Sequence, residues 1–346
     1  MVNNLISVII PVYNSSRYLE KTLVSVLNQS HKNLDIICVD DASEDGSLEI
    51  LQKYASKDPR IHLVRHSENK GRLEARRSGV NNAKGDTIMF LDSDDTMDLA
   101  LCKSVLKALT DNDVDIVQFP ANQINIETGM SDIILPPLVR LSGDDIQKVY
   151  YVTREVPVSL CMRIFRSELI RRAFDQIPNF RSDMGEDVLV SYFISYYSNS
   201  YLGINTRARY NYYLGRGISS GRNISLDKFK KYCEMSLIST TVLDFVRKEQ
   251  VSDSAAAAAE HMSIRLLSDC CSAFDLVPDE EKDEAVDMFW KYWNEVPNVN
   301  RYVLYAFASQ KRYIDGIYES ESYKLGNSIV RKMRNIRTAI SAKKSF

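Results

Sequence analysis

Long apolar runs are missing from this chain. No stretch of the 346 residues approaches about eighteen uninterrupted apolar positions, which excludes a membrane-spanning helix of the ordinary kind. The N-terminus runs straight into an apolar strand with no cationic and hydrophobic leader, so a cytoplasmic protein is expected. Cysteine pairs are missing too. Cys38, Cys102, Cys161, Cys233, Cys270 and Cys271 form no C-x-x-C motif, and His31, His62, His66 and His261 show no ligand spacing. Both absences argue against a structural zinc site and for reduced thiols, with Cys38 inside a strand read as plain core. An excess of positive charge is also lacking. The chain holds 44 Lys and Arg against 46 Asp and Glu, a net charge of −2, which argues against a nucleic-acid partner. What remains, at 45% hydrophobic residues, is the composition of an ordinary globular protein with room for one large and one smaller domain.

Against that background Thr87 to Asp95 stands out. An apolar run ends in Asp92-Ser93-Asp94-Asp95, three carboxylates within four residues. Each carboxylate disfavours ionisation of the next unless a cation or hydrogen-bond donors offset the repulsion. A hard divalent ion, Mg²⁺ or Mn²⁺, meets that need, and such ions are commonly held by one or two carboxylates together with substrate phosphates. The pattern therefore points to a phosphate ester held through a metal. The competing reading is an acidic turn that caps a helix starting near Leu99.

The preceding residues alternate in type. Leu5 to Ile10 is a short apolar run that stops at Pro11, and Leu34 to Val39 another that stops at Asp40-Asp41, as expected of strands covered on both faces. Leu19, Leu23, Val26 and Leu27 recur between them at helical spacing, with Ser15 or Ser16 placed as the cap. A strand at Ile61 to Val64 and a helix presenting Leu73, Arg76 and Val80 on one side continue the pattern. An α/β fold follows, with a mainly parallel sheet and helices on both faces. Ligands of such sheets bind outside the carboxyl ends of the strands, where Pro11 to Asn14, Asp40-Asp41 and Asp92 to Asp94 converge.

Val8 to Asn14, Val39 to Ser47, Asn69-Lys70-Gly71 through Arg76, and Gly85 through Asp95 together resemble the family 2 glycosyltransferases, in order and spacing as well as in wording. The resemblance is strong over about the first hundred residues, resumes at Arg163 to Arg166 and at Gly185 to Leu189, and fades beyond about residue 225. It implies a GT-A fold, a Rossmann-like mixed sheet, with a nucleotide-sugar donor, most often a UDP-sugar, a divalent metal and transfer with inversion. Position by position, it implies that Pro11 and Tyr13 line the base pocket and that Asp41 accepts a hydrogen bond from the base while Asp40 supports the turn. Asp92 and Asp94 fall on the D-x-D motif, with Asp94 the principal metal contact, Asp92 near the metal or the ribose, and Ser93 between them at the donor. Asp187 falls on the catalytic aspartate. Its place, at the polar start of the helical run Val188 to Tyr196, is equally that of a capping residue, and Glu186 is the alternative or a residue that orients the acceptor. Asp95 lies beyond the motif and is expected to cap the next helix. Arg76 is expected to face the nucleotide, whereas Arg77 stands where the family commonly has Asn.

Tyr212 to Arg222 is a Gly- and Ser-rich loop whose glycine spacing does not fit a dinucleotide fingerprint. Its Arg216 and Arg222 are candidates to stabilise a leaving diphosphate. They can also be read as solvated surface arginines. From about Leu226 strand-like runs give way to helical ones, including Ala255 to Ala259, so the expected division is a nucleotide-sugar-binding and catalytic domain over 1–225, a helical domain over 226–322 and a tail over 323–346. The aromatic group Phe289, Trp290, Tyr292 and Trp293 suits either an acceptor groove or helix core. The tail carries seven Lys or Arg and no acidic residue, which leaves 37 basic against 46 acidic residues before it. Ile329, Met333, Ile336 and Ile340 share one helical face there, as in a helix lying on an anionic membrane surface or one packed on the protein's own acidic body.

The function expected is transfer of a sugar from a nucleotide-sugar to a hydroxyl of a glycan or lipid-linked acceptor, in cell-surface polysaccharide synthesis, by a cytoplasmic enzyme peripheral to the membrane and open to oligomerisation. A non-catalytic sugar-nucleotide-binding scaffold is the alternative. A nucleotidyltransferase fits less well, because Pro11 to Asn14 stands where such an enzyme would carry a Gly-rich, basic triphosphate loop.

Overall fold

The structure, a computed structural model, describes residues 4–216 and 224–303. Residues up to Val299 form one compact unit, and a second begins at Asn300. Arg222 and the basic tail over 323–346 lie outside the described residues.

The first half alternates strand and helix: β1 (Ile6–Val12), α1 (Ser16–Leu27), β2 (Leu34–Asp40), α2 (Ser47–Ala55), β3 (Ile61–Arg65), α3 (Arg72–Asn82), β4 (Thr87–Phe90), β5 (Thr96–Met97) and α4 (Leu101–Asn112). Four short strands follow, β6 (Ile116–Gln118), β7 (Ala121–Asn125), β8 (Ser131–Ile134) and β9 (Arg140–Ser142), and then a short α5 (Asp144–Gln147). Next come β10 (Arg163–Arg166), α6 (Ser167–Asp175), α7 (Glu186–Tyr197), β11 (Ser200–Gly203) and β12 (Tyr210–Leu214). Four α-helices follow: α8 (Leu226–Glu234), α9 (Ser236–Glu249), α10 (Asp253–Asp275) and α11 (Lys282–Trp293).

Eight strands form the main sheet in the order β3-β2-β1-β4-β10-β6-β11-β9. The first four are parallel, and β10 enters antiparallel between β4 and β6. Every residue of β1 and β2 is buried, as expected of strands with helices on both faces. Strand β1 does not stop at Pro11 but runs on to Val12, in register with Asp40. The imide nitrogen costs nothing there, because β1 pairs with β4 only as far as Ile9 opposite Phe90. A second sheet has the order β5-β12-β7-β8.

Helix α3 lies against β1 more closely than a side chain would permit. A methyl group at Gly79 would come within 2.3 Å of Ile9 Cγ2. Gly79→Ala is therefore expected to cost about 1–3 kcal/mol by overpacking, read as a lowered urea midpoint with an unchanged slope. The close approach matters beyond stability, because it sets the depth of Arg72 and Arg76 on the same helix.

The helical region packs on the sheet unit through core side chains. Phe229, Cys233, Val242, Phe245 and the alanines Ala255, Ala258 and Ala259 are buried, whereas Leu237 is 42% exposed and faces solvent. Trp293 is fully buried with Phe289 stacked on it, ring centroids 6.2 Å apart, which makes Trp293 core rather than a sugar platform. All six cysteines are free, and Cys38 is buried core. Among the described residues no helix is long and apolar enough to cross a membrane.

Candidate active site

Four strand ends bring the acidic and basic side chains to one edge of the main sheet. The D-x-D turn leaves β4 with Leu91 N donating to Ile9 O, so its start is still ordered by the sheet. Asp95 N then donates to Asp92 O, closing the turn. Three contacts with α1 fasten it. Thr22 Oγ1 donates to both Ser93 O (2.9 Å) and Asp95 O (2.8 Å), and Ser15 Oγ meets Ser93 Oγ at 2.7 Å.

These contacts revise one expectation. Ser15 does occupy the N-cap of α1 but makes no side-chain cap bond, because its hydroxyl is engaged with Ser93 and Tyr13 O. The Ser93 side chain, 8% exposed, meets Ser15 and holds the turn.

Asp95 is not a helix cap. Helix α4 begins five residues later with Ala100 at its N-cap, and the Asp95 carboxyl is buried against β12. Oδ2 accepts from the Tyr210 hydroxyl at 2.7 Å and Oδ1 from Tyr213 N at 3.0 Å, while the same Tyr210 oxygen accepts from Asp92 N. Burial, with Asp92 and Asp94 close by, pushes the Asp95 carboxyl up to about 8. It is a latch between the D-x-D turn and the second sheet.

The end of β12 carries Arg216 back over this turn. Its guanidinium lies 4.3 Å from the Tyr18 ring centroid and 3.7 Å from that of Tyr213, and Nη1 donates to Asp94 O. Stacking between two rings fixes a planar cation that would otherwise roam. Arg216 is thus not a solvated surface arginine. It meets the main chain of Asp94 and not the carboxylate, whose charge is left to another partner. Burial, with Asp92 beside it, holds the Asp94 carboxyl above its ordinary value.

Arg76 is fully buried, with its guanidinium turned to the acidic residues. Its Nη2 reaches Asp92 Oδ1 at 3.1 Å, and its Nη1 reaches Glu186 Oε1 at 3.2 Å and also Asp187 Oδ1. One guanidinium therefore ties the D-x-D turn to the start of α7. Burial would raise the Asp92 carboxyl, but Arg76 and Arg72 outweigh it and hold it below the usual carboxylate range. At Glu186 the balance is reversed: burial, helped by the adjacent Asp187, keeps the carboxyl above its usual value although Arg72 and Arg76 pull it down. Arg77 turns away from the site to Glu74 and to the carbonyls of Phe174 and Pro178.

Glu186 and Asp187 open α7 behind Gly185, whose φ of +76° supplies the left-handed turn that glycine tolerates. A methyl group at Gly185 would meet Ile238 Cδ1 at 2.8 Å, so α9 presses this turn into place. The Asp187 side chain is 28% exposed while that of Glu186 is 3% exposed. Of the two, Asp187 is the one an incoming group can reach.

At the ends of β2 and β3 an open 570 Å³ cleft is lined by Ala42, Ser43, Glu44, Arg65, His66 and Ser67. Asp41 lies beside it but is a loop anchor more than a free acceptor. Oδ1 takes bonds from Lys70 N (2.9 Å) and faces His66 Nδ1 (2.6 Å), and Oδ2 takes Gly71 N (2.9 Å), so a base N–H can add only at Oδ2. Pro11 is buried at the same edge, and Tyr13 is 47% exposed. Asp40 does brace the turn, accepting from Ser43 N.

Sequence reasoning missed Arg72, His66, Tyr18, Tyr210 and Tyr213. Arg72 and Tyr213 lie inside segments singled out above but were given no role, and His66, Tyr18 and Tyr210 lie in none. The one available signal was Arg72, four residues before Arg76 and so on the same face of α3.

Residues 7–171, just under half of the chain, match the family described as Glycosyl transferase family 2. Glycosyltransferase GlyA of Streptococcus pneumoniae is 30% identical over 227 residues, covering 63% of this chain and 32% of that protein. TuaG of Bacillus subtilis, provisionally named a teichuronic acid biosynthesis glycosyltransferase, is 50% identical over 91 residues, 26% of this chain and 36% of that protein. The matched segments thus span about a third of the length of these curated relatives. Residues 1–349 of S. aureus TarS, in a crystal structure with UDP, superpose with a TM-score of 0.62 at 19% identity, covering 92% of both chains. At that identity the likeness shows the fold alone. Residues 7–171 thus resemble glycosyl transferase family 2, and the fold is of the GT-A type with a helical C-terminal region.

Proposed function

We propose that this protein is an inverting glycosyltransferase that moves a sugar from a UDP-sugar to a hydroxyl of a growing bacterial surface glycan. The observation that carries the reading is the convergence of Asp92, Asp94, Asp187 and Arg216 at one sheet edge, next to a cleft at the ends of β2 and β3. TarS has been crystallised with UDP and with UDP-GlcNAc, which favours a uridine nucleotide here. TuaG carries a polysaccharide-pathway name, which favours a glycan acceptor.

The base is assigned to the cleft, between Tyr13 and the loop that Asp41 anchors. A divalent cation, Mn²⁺ or Mg²⁺, fits the carboxylates of Asp94 and Asp92. Burial and the neighbouring Asp92 hold the Asp94 carboxyl above its ordinary value, which a cation there would offset, and no group of three or more His, Cys, Asp or Glu surrounds a single point among the described residues. Two protein carboxylates at most, with diphosphate and water completing the shell, is the manner in which Mg²⁺ is usually held. When bound, such an ion neutralises charge on the leaving diphosphate.

The chain's own side chains supply the rest. Asp187 takes the proton of the acceptor hydroxyl as its oxygen attacks the anomeric carbon from the face opposite the diphosphate. Arg76 holds Asp187 in place. Arg216, fixed between two rings, presents positive charge on the diphosphate side. Lipid-linked saccharides suit the same chemistry, and the basic tail over 323–346 is assigned to an anionic membrane surface, with about 1 kcal/mol per basic residue available near such a surface.

Calorimetric titration with UDP tests the donor half of the reading. Binding is expected with Mn²⁺ or Mg²⁺, is expected to weaken at least about tenfold in EDTA, and is expected to lose its metal dependence in Asp94→Ala. Equal UDP affinity with metal and with EDTA would remove Asp94 from the metal assignment.

A further inference from the structure

Beside the candidate base, two cations share one carboxylate. Arg181 Nη2 and Lys231 Nζ each lie 3.2 Å from Asp183 Oδ2. The trio carries one positive charge in excess, and the side chains of Arg181 and Lys231 are 58% and 34% exposed. The Asp183 side chain is 18% exposed and either cation alone would compensate its charge, so the second leaves net positive charge at the surface.

Its position is informative. A methyl group at Gly71 would sit 3.0 Å from both Arg181 Cγ and Asp183 Oδ1, so the trio abuts the start of α3, one residue from Arg72. Asp183 precedes Asp187 by four residues in the turn that α9 holds in place. Lys231 arrives from α8, so the helical region extends a cation to the rim of the site. Arg72 adds a further half-exposed head, and Lys70 is exposed on the loop before it. The acidic groups at this rim are already committed, Asp183 to Arg181 and Lys231, and buried Glu186 to Arg72 and Arg76.

We propose that the acceptor is an anionic glycan whose phosphate or carboxylate group binds Arg181 and Lys231 while its hydroxyl faces Asp187. This rests on the glycosyltransferase reading and names its acceptor class. An acceptor long enough to enter the site must continue past the Asp183 turn, where a neutral chain gains nothing from the surplus charge and an anionic one gains charge-assisted hydrogen bonds. Arg181 and Lys231 thereby give the C-terminal helices a part in acceptor choice.

Fluorescence anisotropy with labelled oligosaccharides, in the absence of donor, tests the proposal. The probes are a glycerol-phosphate oligomer, a hyaluronan oligosaccharide and a neutral maltooligosaccharide. At least one anionic probe is expected to bind about tenfold or more tightly than the neutral one, with the advantage falling as salt is raised. Preference for the phosphate oligomer alone assigns a phosphodiester acceptor, and preference for hyaluronan alone assigns a uronate. The double variant Arg181→Gln/Lys231→Gln is expected to lose the advantage. Asp183→Asn, which frees both cations, is expected to enlarge it and serves if the double variant does not fold. No anionic advantage in the wild type, or an advantage undiminished in the double variant and not enlarged in Asp183→Asn, overturns the proposal. Because no donor is present, that failure leaves metal-dependent UDP binding, and with it the glycosyltransferase reading, intact.

Discussion

Asp187→Asn is expected to lower kcat for sugar transfer by about 10²–10⁴-fold while leaving donor affinity within a few-fold of the wild type. The amide keeps the shape and can still receive a hydrogen bond from Arg76, but it cannot take a proton. Steady-state transfer kinetics together with UDP titration separate the two effects. The same variant distinguishes an enzyme from a sugar-nucleotide scaffold, for which binding would be the whole function and the substitution would change nothing that matters. Glu186→Gln is the companion measurement. Glu186 is buried and paired with Arg72 and Arg76, so its loss should act through the placement of those arginines and fall well short of the Asp187 effect.

Arg76→Met is expected to destabilise the fold by about 3–5 kcal/mol, because removing one partner from a buried ionic cluster leaves the others uncompensated. Three carboxylates depend on this guanidinium, and Glu186 is almost fully buried. Urea unfolding checks the magnitude. A double-mutant cycle checks the cause: Glu186→Gln in the Arg76→Met background should recover part of the loss, whereas additive effects would show that the two side chains are not coupled. A residual fold that still binds UDP but transfers no sugar is consistent with Arg76 acting through Asp187.

How far the sequence foretold this arrangement depends on whether a residue's surroundings are local. The strand-helix alternation was legible because burial on both faces of a parallel sheet leaves continuous apolar runs, as in β1 and β2. The D-x-D turn was legible because three carboxylates in four residues are improbable without a counter-charge. The start of α7 was legible in Gly185-Glu186-Asp187, where a left-handed glycine precedes two acidic residues in a first turn.

What was not legible depends on distant segments. Asp95 looked like a cap because Asp favours that role, yet its partners come from β12, 115 and 118 positions away. Ser93 sat inside the motif but is turned to α1 by Ser15, a contact no spacing rule encodes. Arg76 is the clearest case. Arginine is almost never fully buried unless paired, and its partners lie 16, 110 and 111 positions away, so nothing nearby in the chain announced them. The Arg181–Asp183–Lys231 trio has the same origin, since α8 delivers its lysine across the fold.

The central claim is that the converging carboxylates and Arg216 hold a nucleotide-sugar for transfer. Its most direct test is release of nucleoside diphosphate from a panel of nucleotide-sugars, with Mn²⁺, Mg²⁺ or EDTA, by the wild type and by Asp94→Ala, since slow donor hydrolysis needs no acceptor. The account predicts metal-dependent release of UDP from one UDP-sugar and its loss in the variant. Absence of both release and binding for every donor, with metal present, would contradict it.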